Sequence, residues 1–159
     1  MAIQIEDTQS RASIGGHPIH PMLVPFPIAF LIGGFASDLV FWSNGDPFWA
    51  RAALWLAGAG LVMGALAAIF GLIDFLSIRR ARQLHEAWIH FLGNAAALLL
   101  TLWSVLHRWS DAPAGVLPLG IVLSALVVII LGVTGWYGGE LAYRHRIGVM
   151  TSPGARQLH

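Results

Sequence analysis

Two histidines stand in the heptapeptide Gly15-Gly16-His17-Pro18-Ile19-His20-Pro21, interleaved with two prolines, just ahead of the first long apolar run. Imidazoles near neutrality serve as proton carriers, metal ligands or haem ligands. Proline fixes φ and removes a backbone donor, so a rigid turn or extended entry holding both rings in place is expected here. The other groups of matching chemistry are Asp74, His90 and Glu140, each set inside an apolar run and a few residues from arginine. The chain has no cysteine, which removes thiolate nucleophiles, disulfides, iron–sulfur ligation and covalent c-type haem attachment. It contains no Ser-His-Asp set, no phosphate-cradling loop and no carboxylate pair arranged for hydrolysis. Electron transfer or binding therefore fits the residue types better than a hydrolase or transferase activity.

The elements that must position these groups follow from composition. Of 159 residues, 57% are hydrophobic and 11% charged, and the mean hydropathy of +0.70 lies well outside soluble-domain norms. A net charge of +1 with no basic stripe argues against nucleic acid as a partner. Residues 1–14 form a polar tail of mixed charge without the basic-then-apolar pattern of a cleavable signal. Apolar runs follow at about 22–42, 52–78, 84–106 and 115–143, each reaching the roughly 20 residues needed to cross hydrocarbon. Backbone groups in a bilayer must be satisfied within the segment, so the runs are expected to be helices. The reading is an all-α integral membrane four-helix bundle, one domain over 15–149, closed by a Ser-Pro-Gly-containing tail over 150–159 expected to be flexible. Its first partner is the lipid bilayer, and a homo-oligomer stays open.

Orientation is carried by arginine, as there is no lysine. Four spans put both termini on one side with the loop between the second and third helices. That side carries Arg11, Arg79, Arg80, Arg82, Arg144, Arg146 and Arg156, against Arg51 and Arg108 opposite. The positive-inside rule then makes both termini cytoplasmic. Trp42, Trp49, Trp103 and Trp109 flank the far loops as an interfacial belt. Asp38, near the far end of the first helix, is expected to cap it or to meet Arg51 or Arg108. His107 is expected at the far interface and His85 in solvent.

On the cytoplasmic side, Asp74 lies five residues inside Arg79, His90 eight inside Arg82 and Glu140 four inside Arg144. At 1.5 Å per residue these depths are roughly 6–12 Å. With His17 and His20 at the head of the first helix, every helix brings a polar group to one shallow layer. His145, one residue past Arg144, either reaches back to that layer or sits among headgroups. Intramembrane ionisable residues are costly, face the bundle interior and mark functional sites. Glu86, His90 and Asn94 recur at four-residue intervals and share a face, so a carboxylate or amide can fix the His90 tautomer. Gly60 with Gly64, and Gly135 with Gly139, are small-xxx-small pairs that allow close helix approach and could bring Glu140 to the histidines.

Three readings follow. In the first, a b-type haem is ligated by histidines from different helices, His90 first and His20 next, with His17 or His145 behind and Asn94 in support. In the second, His17, His20, Asp74, His90 and Glu140 hold a divalent metal; mixed imidazole and carboxylate donors suit zinc, iron or manganese. In the third, the polar layer only holds the bundle together. Transport ranks last, because the far halves of the helices offer few polar groups for a path.

The segments HPIHPMLVPFPIAF, GLIDF, His90-x-x-x-Asn94 and GWYGGELAYRHRIGV resemble the bacterial membrane family known as domain of unknown function 2231. The resemblance runs from about Gly15 to Val149 and implies a multi-pass protein of the bacterial inner membrane. Two positions depart from the family pattern: Pro25, where relatives often carry histidine, and Arg146, where glycine commonly follows the closing histidine. The first removes one candidate ligand from helix 1. Some similar modules are joined to Rieske-type iron–sulfur domains, which implies electron transfer, with a Rieske-type protein or a quinone as redox partner.

Overall fold

A peptide group inside hydrocarbon has no water to bond, so each apolar run closes its own hydrogen bonds as a helix. In the computed structural model, which describes residues 8–149, four helices are long and apolar enough to cross a membrane: Ile19–Asn44, Pro47–Ser77, His85–Arg108 and Ala112–Arg144. The expected four-helix membrane architecture is observed. The tail 150–159 and residues 1–7 lie outside the described residues.

The chain enters through a two-stranded hairpin, β1 (Ser13–Ile14) against β2 (His17–Pro18), with Ile14 opposite His17. Its two-residue turn needs positive φ at both positions, which Gly15 (56°) and Gly16 (80°) supply. The first span joins α1 (Ile19–Leu23) to α2 (Pro25–Asn44) through Val24, whose backbone is helical. Pro21, Pro25 and Pro27 fall in the opening turns of these pieces, where a missing N–H leaves little unsatisfied. His20 therefore sits on a helix rather than in the entry segment expected to hold it.

Gly45, at φ 70°, ends α2 in a left-handed cap, and Asp46 starts α3 (Pro47–Ser77) by accepting the Phe48 N–H at 2.9 Å. This cap begins the helix five residues before the expected Ala52, and so places Arg51 on the helix instead of in the loop. One 3₁₀ turn, Ala81–Gln83, leads to α4 (His85–Arg108). The last span opens with the short α5 (Ala112–Gly115), capped by Asp111 on the Ala114 N–H at 3.0 Å. A wide turn over Val116–Gly120, interrupted by extended Leu117, precedes α6 (Ile121–Gly139) and a final wide turn, Glu140–Arg144.

The helices pack in a ring: α2 touches α3 and α6, and α4 touches the same two. The first span and α4 thus face each other diagonally. Gly60 and Gly64 provide the close approach expected of them; a Cβ at Gly60 would lie 2.7 Å from Leu31, and one at Gly64 2.7 Å from Leu98. Midway along the helices, Leu31, Ala97 and Val127 form an apolar layer with Leu100, Ile130 and Leu131. Large apolar side chains such as Val62, Leu99 and Ile129 point outward, as a lipid-facing surface requires. At the end bearing the termini, Ile78, Ala81 and Ala87 close the bundle with Phe75, Leu84 and Ile147.

Candidate functional site

His20 and His90 meet across the bundle. Their ring centroids are 6.1 Å apart and their planes 87° to each other. His20 Nδ1 lies 2.8 Å from the carbonyl oxygen of Ala67 on α3, and His90 Nδ1 2.8 Å from that of Thr134 on α6. A carbonyl oxygen can only accept, so in each neutral ring Nδ1 carries the proton and Nε2 keeps its lone pair. The first span and α4 thus supply the rings, while α3 and α6 set their tautomers and orientation. This is the arrangement in which backbone carbonyls support ligating histidines.

Glycine makes the room. A Cβ at Gly71 would lie 2.8 Å from His20 Nδ1 and 2.9 Å from Cε1, and one at Gly138 would lie 3.0 Å from His90 Cε1. Gly71→Ala is therefore expected to push the His20 ring off Ala67 and to cost about 1–3 kcal/mol, seen as a lowered unfolding midpoint in detergent. Gly58→Ala, where an added Cβ meets nothing within 4 Å, is expected to leave the midpoint unchanged or raise it, since alanine is the better helix former.

The other candidates are dispersed. His17 is exposed on the hairpin with Nδ1 3.1 Å from Gly15 O, away from the pair it was expected to join. The Asp74 carboxylate is taken by the N-terminal segment, through Ser10 Oγ and the N–H groups of Arg11 and Ala12. Glu140 pairs with Arg144 at 2.9 Å. His145 faces Glu86 at 3.5 Å, and His85 approaches the same carboxylate at 3.4 Å. Asn94 donates to the backbone carbonyl of His90 at 2.7 Å, not to its ring; the ring is fixed by Thr134 instead. Gly135 and Gly139 do not draw helices together within the chain. They line an open groove of about 340 Å³ with Trp136, Glu140, Tyr143 and Arg144. Among the described residues, no three His, Asp or Glu side chains are grouped so as to hold a metal ion. Of the five residues in the metal reading, His20 and His90 are the two that meet.

A second polar cluster lies at the opposite end, where few polar groups were expected. Arg108 grips Asp38 with Nη1 and Nη2, at 2.5 and 2.8 Å, and Ser124 Oγ donates to Asp38 at 2.7 Å. Arg108 is 1% and Asp38 0% exposed. Of the partners expected for Asp38, Arg108 is the one observed, although it was placed in the far loop. A cavity of about 20 Å³ beside the pair is lined by Thr101, Ser104 and Arg108 among others, enough for a single water. Sequence reasoning followed the α4 stripe from Glu86 through His90 to Asn94 and stopped. Continued in alternating steps of three and four residues through Ala97, the same face reaches Thr101, Ser104 and Arg108, all buried.

The family model described as predicted membrane protein, DUF2231, matches residues 16–151. The chain belongs to DUF2231. The matched range takes in all four spans and both clusters of this DUF2231 protein. No curated protein and no solved structure matches it.

Proposed function

We propose that this DUF2231 protein is a membrane electron-transfer module in which His20 and His90 would hold one b-type haem. The observation that carries the reading is the pair of rings from diagonal helices, each with Nδ1 committed to a backbone carbonyl and Nε2 left as a donor to a ligand. The donor set suits haem, since the macrocycle supplies four nitrogens and the protein two. A bare divalent ion in a protein site asks for three or four side chains. Bound haem would accept and release one electron. Ala67 and Thr134 hold the rings in orientation, and the apolar layer around Leu31, Ala97 and Val127 keeps water from the site on one side. The redox partner in this reading is a Rieske-type protein or a quinone.

The test is the visible spectrum of the purified full chain, expressed with adequate haem, in oxidised and dithionite-reduced form. A Soret band with sharpened reduced α and β bands is expected; folded protein without a Soret band overturns the proposal.

We also infer that the end bearing the termini faces the cytoplasm of a bacterial inner membrane. Arg108 is buried against Asp38, so among the described residues the opposite end presents only Arg51, while Arg11, Arg79, Arg80, Arg82, Arg144 and Arg146 line the termini end. The absence of native cysteine makes this directly measurable. In intact spheroplasts, Ser110→Cys is expected to react with a membrane-impermeant maleimide and Gln83→Cys only after permeabilisation. The reverse pattern inverts the topology.

A further inference from the structure

Residues 8–18 have no part in the haem reading, yet they are seated more firmly than a tail needs. The Asp74 carboxylate, itself 9% exposed, accepts Ser10 Oγ at 2.7 and 2.9 Å, the Arg11 N–H at 2.9 Å and the Ala12 N–H at 3.2 Å. Thr8, Ser10 and Ala12 are buried. Ala12 O accepts the Ile19 N–H at 2.9 Å, which ties the strap directly to the helix carrying His20, and Thr8 O accepts the Gly148 N–H at 2.8 Å.

The Asp74 seat and the His20 ring share one face of α3. Ala67, Gly71 and Asp74 follow at i, i+4 and i+7. Ala67 holds the His20 ring, Gly71 leaves space for it, and Asp74 seats the strap about 10 Å nearer the end of the bundle. The strap therefore lies between the histidine pair and that end, continuous in sequence with one member of the pair.

We infer that residues 8–18 are a latch over the histidine site, that Asp74 holds the latch shut, and that Asp74 is thereby the positioning residue for His20. The enclosed ligand rests on the haem reading; the latch rests on the hydrogen bonds alone. Asp74→Asn is the isosteric probe. The amide keeps one acceptor oxygen and turns an NH₂ toward groups that can only donate or that already donate.

Two rates in the full chain test the inference. The first is labelling of Ala12→Cys, a buried residue of the latch and the sole cysteine, by a water-soluble maleimide. The second is transfer of haem from the loaded protein to an excess of a haem-scavenging apoprotein. Loss of a charge-assisted seat is expected to raise both by about tenfold or more in Asp74→Asn, with a smaller rise in Ser10→Ala, which removes one donor and serves if Asp74→Asn does not fold. Rates within twofold of the parent, in a variant that stays folded and monodisperse, overturn the latch. Faster labelling without faster haem transfer overturns its control of the site, and faster transfer without faster labelling overturns the route through the strap. Parent protein that binds no haem overturns only the haem reading, and the labelling rate then decides the latch by itself.

Discussion

Arg108→Ala is expected to lower the stability of the detergent-solubilised protein by about 3–5 kcal/mol. The guanidinium and the Asp38 carboxylate are both removed from solvent and bonded at two points. Deleting the cation leaves a carboxylate in the bundle interior with only Ser124 Oγ among its side-chain donors. Asp38→Ala is expected to cost as much, for the mirror reason. The double replacement Asp38→Leu with Arg108→Met should recover most of the loss, since removing both charges also removes the desolvation penalty that either one alone suffers. The enclosure of Arg108 also depends on glycine. A Cβ at Gly120 would lie 2.8 Å from Arg108 Nη2 and 2.9 Å from Nε, and would run into the Gly115 carbonyl as well. Chemical or thermal unfolding midpoints of the two single variants and the double variant close the cycle. An Arg108→Ala midpoint indistinguishable from the parent would mean that the pair is open to water.

The second large effect concerns the proposed haem. If the pair holds a haem as proposed, His20→Ala and His90→Ala would each remove one of the two protein donors, and each is expected to change the haem spectrum. Haem affinity should drop by at least the 10–100-fold that loss of a merely supporting group costs. His17→Ala and His145→Ala are expected to leave the spectrum unchanged, because His17 lies exposed on the hairpin and His145 faces Glu86. Visible and electron paramagnetic resonance spectra of the four variants separate these outcomes. Bands lost in His17→Ala but kept in His20→Ala would refute the assigned pair. Folded yield lost in His90→Ala from a parent with no chromophore would leave the rings as helix ties through Ala67 and Thr134.

The candidate site was half legible in the sequence. His20 and His90 were singled out because a titratable side chain in an apolar run has few tolerable environments. The partners assigned to them were wrong in kind. Carboxylates and an amide were expected to hold the rings, whereas two backbone carbonyls do so. Main-chain oxygens carry no signature in residue type. Position along a helix does not specify azimuth, and Asp74 and Glu140 each turn to a nearer donor: the strap for Asp74, Arg144 for Glu140. The entry prolines suggested an extended segment, yet as opening-turn residues they are compatible with helix from Ile19 onward.

What the sequence determined by itself is everything that depends on chain-local physics. Run length against bilayer thickness gave four spans, and the backbone's need for internal hydrogen bonds made them helices. Glycine and aspartate caps at Gly45 and Asp46 set a helix end and a helix start that were readable in principle. Only the tertiary structure decided which polar side chains meet. That choice depends on the rotation of each helix about its axis and on which helices lie diagonal. Small-residue contacts such as Gly60 on Leu31 and Gly64 on Leu98 set both, across sequence separations that no local pattern encodes. The same packing joins Asp38 to Arg108, seventy positions apart, and brings His20 to His90 across the bundle.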